Sequence, residues 1–466
     1  MELAGTSFVC PRCEQVTLLS ASLAEELLPS AEPASGVHTI GQLVAAFQGS
    51  VKRTVTSPFY LLGLTLVSAV MLLLPLLYLL MIAGAAWGVS LWARHFSFLI
   101  RGMPGGIYLG LLKAFLYLGP LVAGVVLVFF MIKPLLAPRQ RQAHPLALNA
   151  SAEPLLFCFV DALCRTMGAP APKRIDVNCQ LNASASFRRG LRSLLSNELV
   201  LTIGLPLVAG LSLQQFAGVL AHEFGHFTQG TGMRLSYLIR RVNGWFARVV
   251  FERDAWDQAF DEWANETRDY RMLFVVLCAR VAVGLSRGLL WVLMLLGHGV
   301  SCYLLRQMEY DADRYQIRLA GSEAFETSAR RIHVLGAVLQ VSYQEMRAAW
   351  NQSRRLPDNL PAELLRSDGR LSLEARTRLE DTMGLGQTGW FDTHPSAGDR
   401  IRQARRAEEP GVLHLDAPAS SLFGNFEVLA RQVTQLHYTD DLGLAVLPAS
   451  FVPVPRLASD DASKRL

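Results

Sequence analysis

Residues 59 to 93, FYLLGLTLVSAVMLLLPLLYLLMIAGAAWGVSLWA, carry no charged side chain, and neither do residues 114 to 132, AFLYLGPLVAGVVLVFFMI. In hydrocarbon a backbone must satisfy its own hydrogen bonds, so an apolar run of this kind is confined to a spanning helix of about 20 residues or more. Two membrane helices are expected. The first is a single long helix through Pro75, because a break there would leave halves of about 16 residues, below the usual minimum of roughly 17. Composition agrees: 51% of the 466 residues are hydrophobic and 18% charged, too apolar for an ordinary soluble enzyme. The first run begins only at Phe59 and no basic stretch precedes it in MELAGTSF, so it reads as a retained anchor, not a cleaved signal.

Lys52, Arg53, Lys133, Arg139 and Arg141 flank the outer ends of the pair, against Arg94 and Arg101 in the connecting loop, with Lys113 inside the second segment. The excess of basic residues puts the N-terminal segment and everything after residue 140 in the cytoplasm. The seven cysteines, Cys10, Cys13, Cys158, Cys164, Cys179, Cys278 and Cys302, form no regular framework, which suits a reducing compartment. Cys10 and Cys13 in CPRC have the spacing of half a zinc ribbon, but no second pair follows. A site there needs His38 or a second copy of the chain; otherwise they are two exposed thiols on an arm. The net charge of +5 is scattered arginine with no basic run interleaved with aromatic residues, which fits a membrane-facing surface and no nucleic-acid partner. The organisation expected is an arm over 1–58, spans over 59–137, a catalytic domain over 150–410, and an extension and tail over 411–466.

Within the catalytic part, LSLQQFAGVLAHEFGHFTQG starts with a capping box, Ser212 and Gln215, and closes on Gly230, predicting a helix over 213–229. On it His222 and His226, four residues apart, share a face and reach one cation, with Glu223 beside them as a base for water. A carboxylate-bridged di-iron site would need a second Glu-x-x-His pair, yet of the ten histidines only His226 has a glutamate three residues before it. Zinc is the better reading. Catalytic zinc takes three protein ligands and keeps a position open, so a third ligand is needed downstream. Glu309 and Asp313 in MEYDADRY, on a helix continuing from GHGVSCYLLRQ, put two carboxylates on one side. One ligates and the other accepts a hydrogen bond from a ligand imidazole.

VLAHEFGH, then EYDAD, then HPSAGDRI at 394–401, after two spans, resemble the integral-membrane zinc metallopeptidases of the HtpX and CAAX prenyl endopeptidase type. The resemblance covers roughly residues 150 to 405. It implies a mainly α chain with a small β-sheet (α+β), a zincin-like domain with N-terminal transmembrane helices. One Zn²⁺ per chain would be held by His222, His226 and Glu309, with Glu223 as base and Asp313 supporting the histidines. His394 and Arg400 of the late motif are expected to serve the oxyanion or to order the site. It further implies that NASASF, 182–187, and ELVLTIG, 198–204, form a sheet whose edge receives an extended peptide. Polypeptide substrates, membrane or misfolded proteins, and a bacterial inner-membrane location with the catalytic domain facing the cytoplasm follow from it. The rival is a non-proteolytic membrane scaffold that retains a zinc site, against which the presence of Glu223 argues.

A long apolar insertion at 227–308 departs from simpler members. Its segments 272–288, interrupted by Arg280 and Arg287, and 288–305, uncharged, are read either as membrane-embedded or as buried globular helices. The charged segment 252–271 reads as a lid or a cover.

Overall fold

The structure, a computed structural model, describes residues 7–9, 16–18, 39–52, 57–99, 106–136, 145–187, 198–228, 231–252 and 270–454. Two short antiparallel strands, β1 (Ser7–Val9) and β2 (Val16–Leu18), flank the CPRC sequence, whose Cys10 and Cys13 lie outside the described residues. Helix α1 (Ile40–Ala45) buries Leu43 in the core of the catalytic part.

The two apolar runs form α2 (Pro58–His95), continuous through Pro75 as expected, and α3 (Ile107–Leu136). They lie antiparallel, and the polar tips of their aromatic residues are satisfied by backbone carbonyls across the pair. The Tyr78 hydroxyl donates to the Met131 carbonyl (2.8 Å), the Trp92 indole to the Tyr117 carbonyl (3.1 Å) and the Tyr117 hydroxyl to the Ala93 carbonyl (3.0 Å).

After β3 (Leu146–Ala147) and α4 (Pro154–Met167) come β4 (Arg174–Asn178), β5 (Ala183–Phe187) and β6 (Leu199–Gly204). The order is β3-β4-β6-β5, with β4 and β6 parallel and the other pairs antiparallel. Both strands named from sequence are present, and β5 is an edge. The apolar run Val200, Leu201 and Ile203 of β6 is buried because helices cover a central strand. Helix α5 (Leu205–Gly210) leads into α6 (Leu213–Gly225), whose capping box is formed in both directions: the Gln215 amide donates to Ser212 Oγ (3.2 Å) and the Ser212 amide to Gln215 Oε1 (3.1 Å).

One expectation needs correction, and one left open is narrowed. The helix of the HExxH sequence ends at Gly225, not at 229, and Gly230 lies outside the described residues. Its last turn tightens: the amides of Phe227 and Thr228 bond three residues back, and the Thr228 hydroxyl takes the Gly225 carbonyl at 2.8 Å. The open reading concerns the insertion. Following α7 (Thr231–Phe251), the segments 272–288 and 288–305 merge into one helix, α8 (Tyr270–Ala320), which runs on through MEYDADRY. Among the described residues three helices are long and apolar enough to cross a membrane, the two expected, α2 and α3, and with them α8, in line with the membrane-embedded reading. Most of the charged segment, residues 253–269, lies outside the described residues.

Helices α2, α3, α7 and α8 share an apolar cluster that includes Leu64, Met71 and Tyr78 of α2, Ile239 and Phe246 of α7, and Leu290 and Leu305 of α8. A larger core joins α4, the sheet, α5, α6 and α9 (Ser322–Ser353). Beyond α9, a two-residue strand β7 (Leu356–Pro357) precedes α10 (Leu360–Gly369), α11 (Leu373–Leu385), α12 (Ala397–Ala407) and α13 (Phe426–Leu436). Strand β8 (Phe451–Val452) pairs with β7. The contact that positions the site is α6 on α8. It is close because Gly218 and Gly225 face α8: a Cβ on Gly225 would lie 3.1 Å from the Tyr315 ring and 3.3 Å from Ala312 Cα. Two glycines one heptad apart let a backbone carrying His222 lie directly against the one carrying Glu309.

Candidate metal centre

Where α6 crosses α8, His222 and His226 turn edge to face, with ring centroids 5.0 Å apart and planes at 85°. Glu309 comes up from α8 between them. Its Oε2 lies 3.4 Å from His222 Nε2 and its Oε1 lies 3.7 Å from His226 Nε2. One nitrogen or oxygen from each of the three residues falls within a 4.8 Å cluster, the arrangement a single cation can bridge. Glu309 is 3% exposed and Asp313 1%, so two carboxylates are buried side by side, four residues apart on one helix. Buried charge has to be neutralised.

Asp313 lies behind the cluster. Its Oδ1 is 3.0 Å from His222 Nδ1, a close approach in which the ring N–H is not well aimed along the line of contact. On its other side Arg400, from α12, binds it with both prongs: Nε to Oδ2 at 2.8 Å and Nη2 to Oδ1 at 2.5 Å. The guanidinium in turn stacks over Phe325 of α9, 5.6 Å from the ring centre. The chain Phe325, Arg400, Asp313, His222 therefore runs from the core to the ring, as expected of residues that orient a ligand. Burial opposes a charge on His222, but Asp313 and Glu309 outweigh it and lift the ring to about 9. His226 is displaced downward by burial and by His222, and its Nδ1 has no hydrogen-bond partner.

These observations test the fit of a metal. Two imidazoles and a carboxylate converge, and a buried pair of acids holds His222 protonated well above its ordinary range. A divalent cation would displace that proton and take the same charge position. Nitrogen and carboxylate donors in this ratio suit Zn²⁺.

Glu223 follows His222 and points to the sheet side. Burial pushes its carboxyl up, with His222 and the backbone of Ala185 in β5 pulling it back. The edge strand and the acid are thus neighbours. His394 arrives on the loop between α11 and α12, with Nδ1 3.3 Å from Glu309 Oε2 and a side chain 64% exposed. That loop is tied to α8: Arg306 donates to the carbonyls of Trp390 (2.9 Å) and Asp392 (2.8 Å). The structure thus brings together His222, Glu223, His226, Glu309, Asp313, His394 and Arg400. It places Arg400 against Asp313, so of the two roles expected for it the ordering one fits its contacts. Two further residues had no sequence signal strong enough to single them out. One is Arg306. The other is Arg240 of α7, whose guanidinium donates to Glu309 Oε1; an arginine in a helix packed among spanning helices is a signal of the right kind.

The family model for peptidase family M48 matches residues 152–408, over half of the chain and containing every residue of this cluster. The chain belongs to peptidase family M48. It is a membrane metalloprotease with a mainly helical fold and one small sheet. Among curated relatives, Protease HtpX of Acinetobacter baumannii strains AYE and SDF is 24% identical over 315 residues, 66% of this M48 peptidase and 89% of the relative. No solved structure matches it at comparable significance.

Proposed function

We propose that this M48 peptidase is a zinc-dependent endopeptidase whose metal is held by His222, His226 and Glu309, whose base is Glu223, and whose peptidase domain spans 150–410. The observation that carries the reading is the convergence of three ligand atoms within 4.8 Å beside Glu223. Zn²⁺, when bound, supplies a Lewis acid that polarises a carbonyl and acidifies water. Glu223, raised by burial, takes the proton of the attacking water and passes it to the leaving amine. An extended substrate pairs with the edge of β5 that no strand occupies among the described residues, which brings its scissile bond past Glu223, because Ala185 of that strand is the neighbour of the acid. His394 stands at the exposed mouth and donates to the oxyanion. Asp313 and Arg400 hold His222. The substrates are membrane or misfolded proteins, in line with three helices able to place the site at a bilayer.

Casein or self-cleavage assays on detergent-purified protein test this. Cleavage should stop with a chelator and return with zinc; equal cleavage in both conditions, or none from zinc-loaded protein, would move the reading to a scaffold. His394→Ala should retain zinc and stability yet lose about a hundredfold in turnover, with apparent substrate affinity changed less, because it removes one oxyanion donor. Wild-type turnover in that variant would take His394 out of the chemistry.

We place the peptidase domain on the cytoplasmic side of a bacterial inner membrane, on the excess of basic residues at the outer ends of the first two spans. A cysteine replacing the exposed Ser151 should resist a membrane-impermeant thiol reagent in intact cells, whereas one replacing Gly106 before α3 should be labelled. The reverse pattern would put the site outside.

A further inference from the structure

A cavity of about 740 Å³ opens between α2, the end of α3 and α7, among the described residues joined to the metal cluster only through Arg240. Pro75 and Leu79 of α2 and Leu135 of α3 give it an apolar wall. Helix α7 and the residue after it give it a largely basic one: Arg240, Arg241, Gly244, Arg248 and Glu252 line it, with Val242 and Trp245 beside them. The face of α7 turned away from it is apolar, with Ile239, Phe246 and Val249 buried among the spanning helices. Arginine packed against such helices is costly unless its charge is met. Arg240 is met by Glu309. Among the described residues Arg241 and Arg248 have no carboxylate partner, and Glu252 is the one acid in the lining. Among the described residues the lining thus carries more positive than negative charge, with apolar side chains beside it.

Its depth is informative. The uncharged part of α3 lies between Lys113 and Lys133, and about 20 residues is the length that crosses hydrocarbon. Leu135 is just past Lys133. The pairing of Tyr78 with Met131 sets the neighbouring stretch of α2 at the same level. Apolar wall and basic wall thus meet level with the charged end of α3 and beside the middle of the uncharged run of α2.

We propose that this cavity binds an anionic phospholipid, with the phosphate between Arg241 and Arg248 and the acyl chains along α2 and α3. Guanidinium forks match phosphate oxygens in pairs, and basic pockets between spanning helices favour lipids of net negative charge over zwitterionic ones. Through Arg240 the same helix face reaches Glu309, so a bound lipid fixes α7 beside that carboxylate. Binding does not depend on the proteolytic reading.

Native mass spectrometry of the full-length protein in detergent, with phosphatidylglycerol and phosphatidylcholine at equal concentration, reads the site. Phosphatidylglycerol should be retained in preference. The double variant Arg241→Gln, Arg248→Gln should bind it roughly thirtyfold more weakly, which at 1.4 kcal/mol per tenfold is about 2 kcal/mol, near the contribution of two basic side chains at a membrane surface. Gly244→Leu should also lose it. A Cβ at Gly244 meets nothing within 4 Å, so this variant fills the cavity without breaking a contact, and it replaces glycine by a better helix former. Thermal unfolding without lipid verifies that both variants are folded. Equal retention of the two lipids, or unchanged retention in both folded variants, overturns the proposal. So does stabilisation by inorganic phosphate equal to that by lipid, which would make this a free-anion site, or displacement of lipid by a casein peptide, which would make it a substrate groove.

Discussion

Glu223→Gln should bind about one zinc ion per chain and lose about 10²- to 10⁴-fold or more in turnover. The amide keeps the size and the contacts of the carboxyl but cannot accept the water proton, and the three ligand side chains are untouched. His226→Ala is the contrast, since it removes one of only three ligands and should lose the metal with the activity. Metal content by elemental analysis, read beside initial rates of casein cleavage, separates the two. Activity in Glu223→Gln within tenfold of wild type would sink the assigned base, and zinc at wild-type occupancy in His226→Ala would sink the ligand set. The magnitude rests on geometry. Glu223 is adjacent to His222 on the last turn of α6 and beside Ala185 of the edge strand, and among the described residues no second acid stands in that position to substitute for it. Glu309 and Asp313 lie on the other side of the imidazoles, engaged by His222, Arg240 and Arg400.

What could be read from the sequence was what short-range periodicity encodes. The uncharged runs gave α2 and α3, and Ser212 and Gln215 gave the start of α6, whereas β5 and β6 came from the family resemblance. His222 and His226 could be named because helical spacing aims them together, and the family resemblance singled out Glu309 from the acid pair that follows them. The end of α6 was misjudged because termination there is not made by the glycine at 230 but by Thr228 folding back on Gly225, a choice between hydrogen bonds that residue type does not fix. The third candidate span stayed undecided because Arg280 and Arg287 interrupt the apolar pattern ahead of the uncharged 288–305, although the helix passes straight through them. Arg240 and Arg306 act across long stretches of chain, on Glu309 and on the loop of His394, and nothing local distinguishes them from other arginines. The close packing of α6 on α8 likewise depends on Gly218 and Gly225 facing a particular partner.

Arg400→Ala should destabilise the protein and loosen its metal, and this distinguishes a positioning role from an oxyanion role. Asp313 is 1% exposed and its compensating cation is Arg400, bound through both oxygens. Removing one partner of a buried pair leaves a charge that water cannot reach, at a cost of about 3–5 kcal/mol. Zinc affinity should fall about 10- to 100-fold as Asp313, no longer fixed by Arg400, ceases to hold the His222 ring, the usual effect of disturbing an outer partner of a ligand. Arg400→Lys should recover little, because a single ammonium cannot make both bonds to Asp313 or stack on Phe325 as a planar guanidinium does. Asp313→Asn should share the metal defect. It should be the milder in stability, since the amide leaves no buried charge, although Arg400 loses its pair. Denaturant unfolding and chelator competition for zinc read both quantities without an activity assay. If Arg400 instead contacted the oxyanion, Arg400→Ala would keep wild-type stability and zinc affinity and lose turnover alone. That outcome would detach Arg400 from Asp313 in function and leave the orientation of His222 to Asp313 by itself.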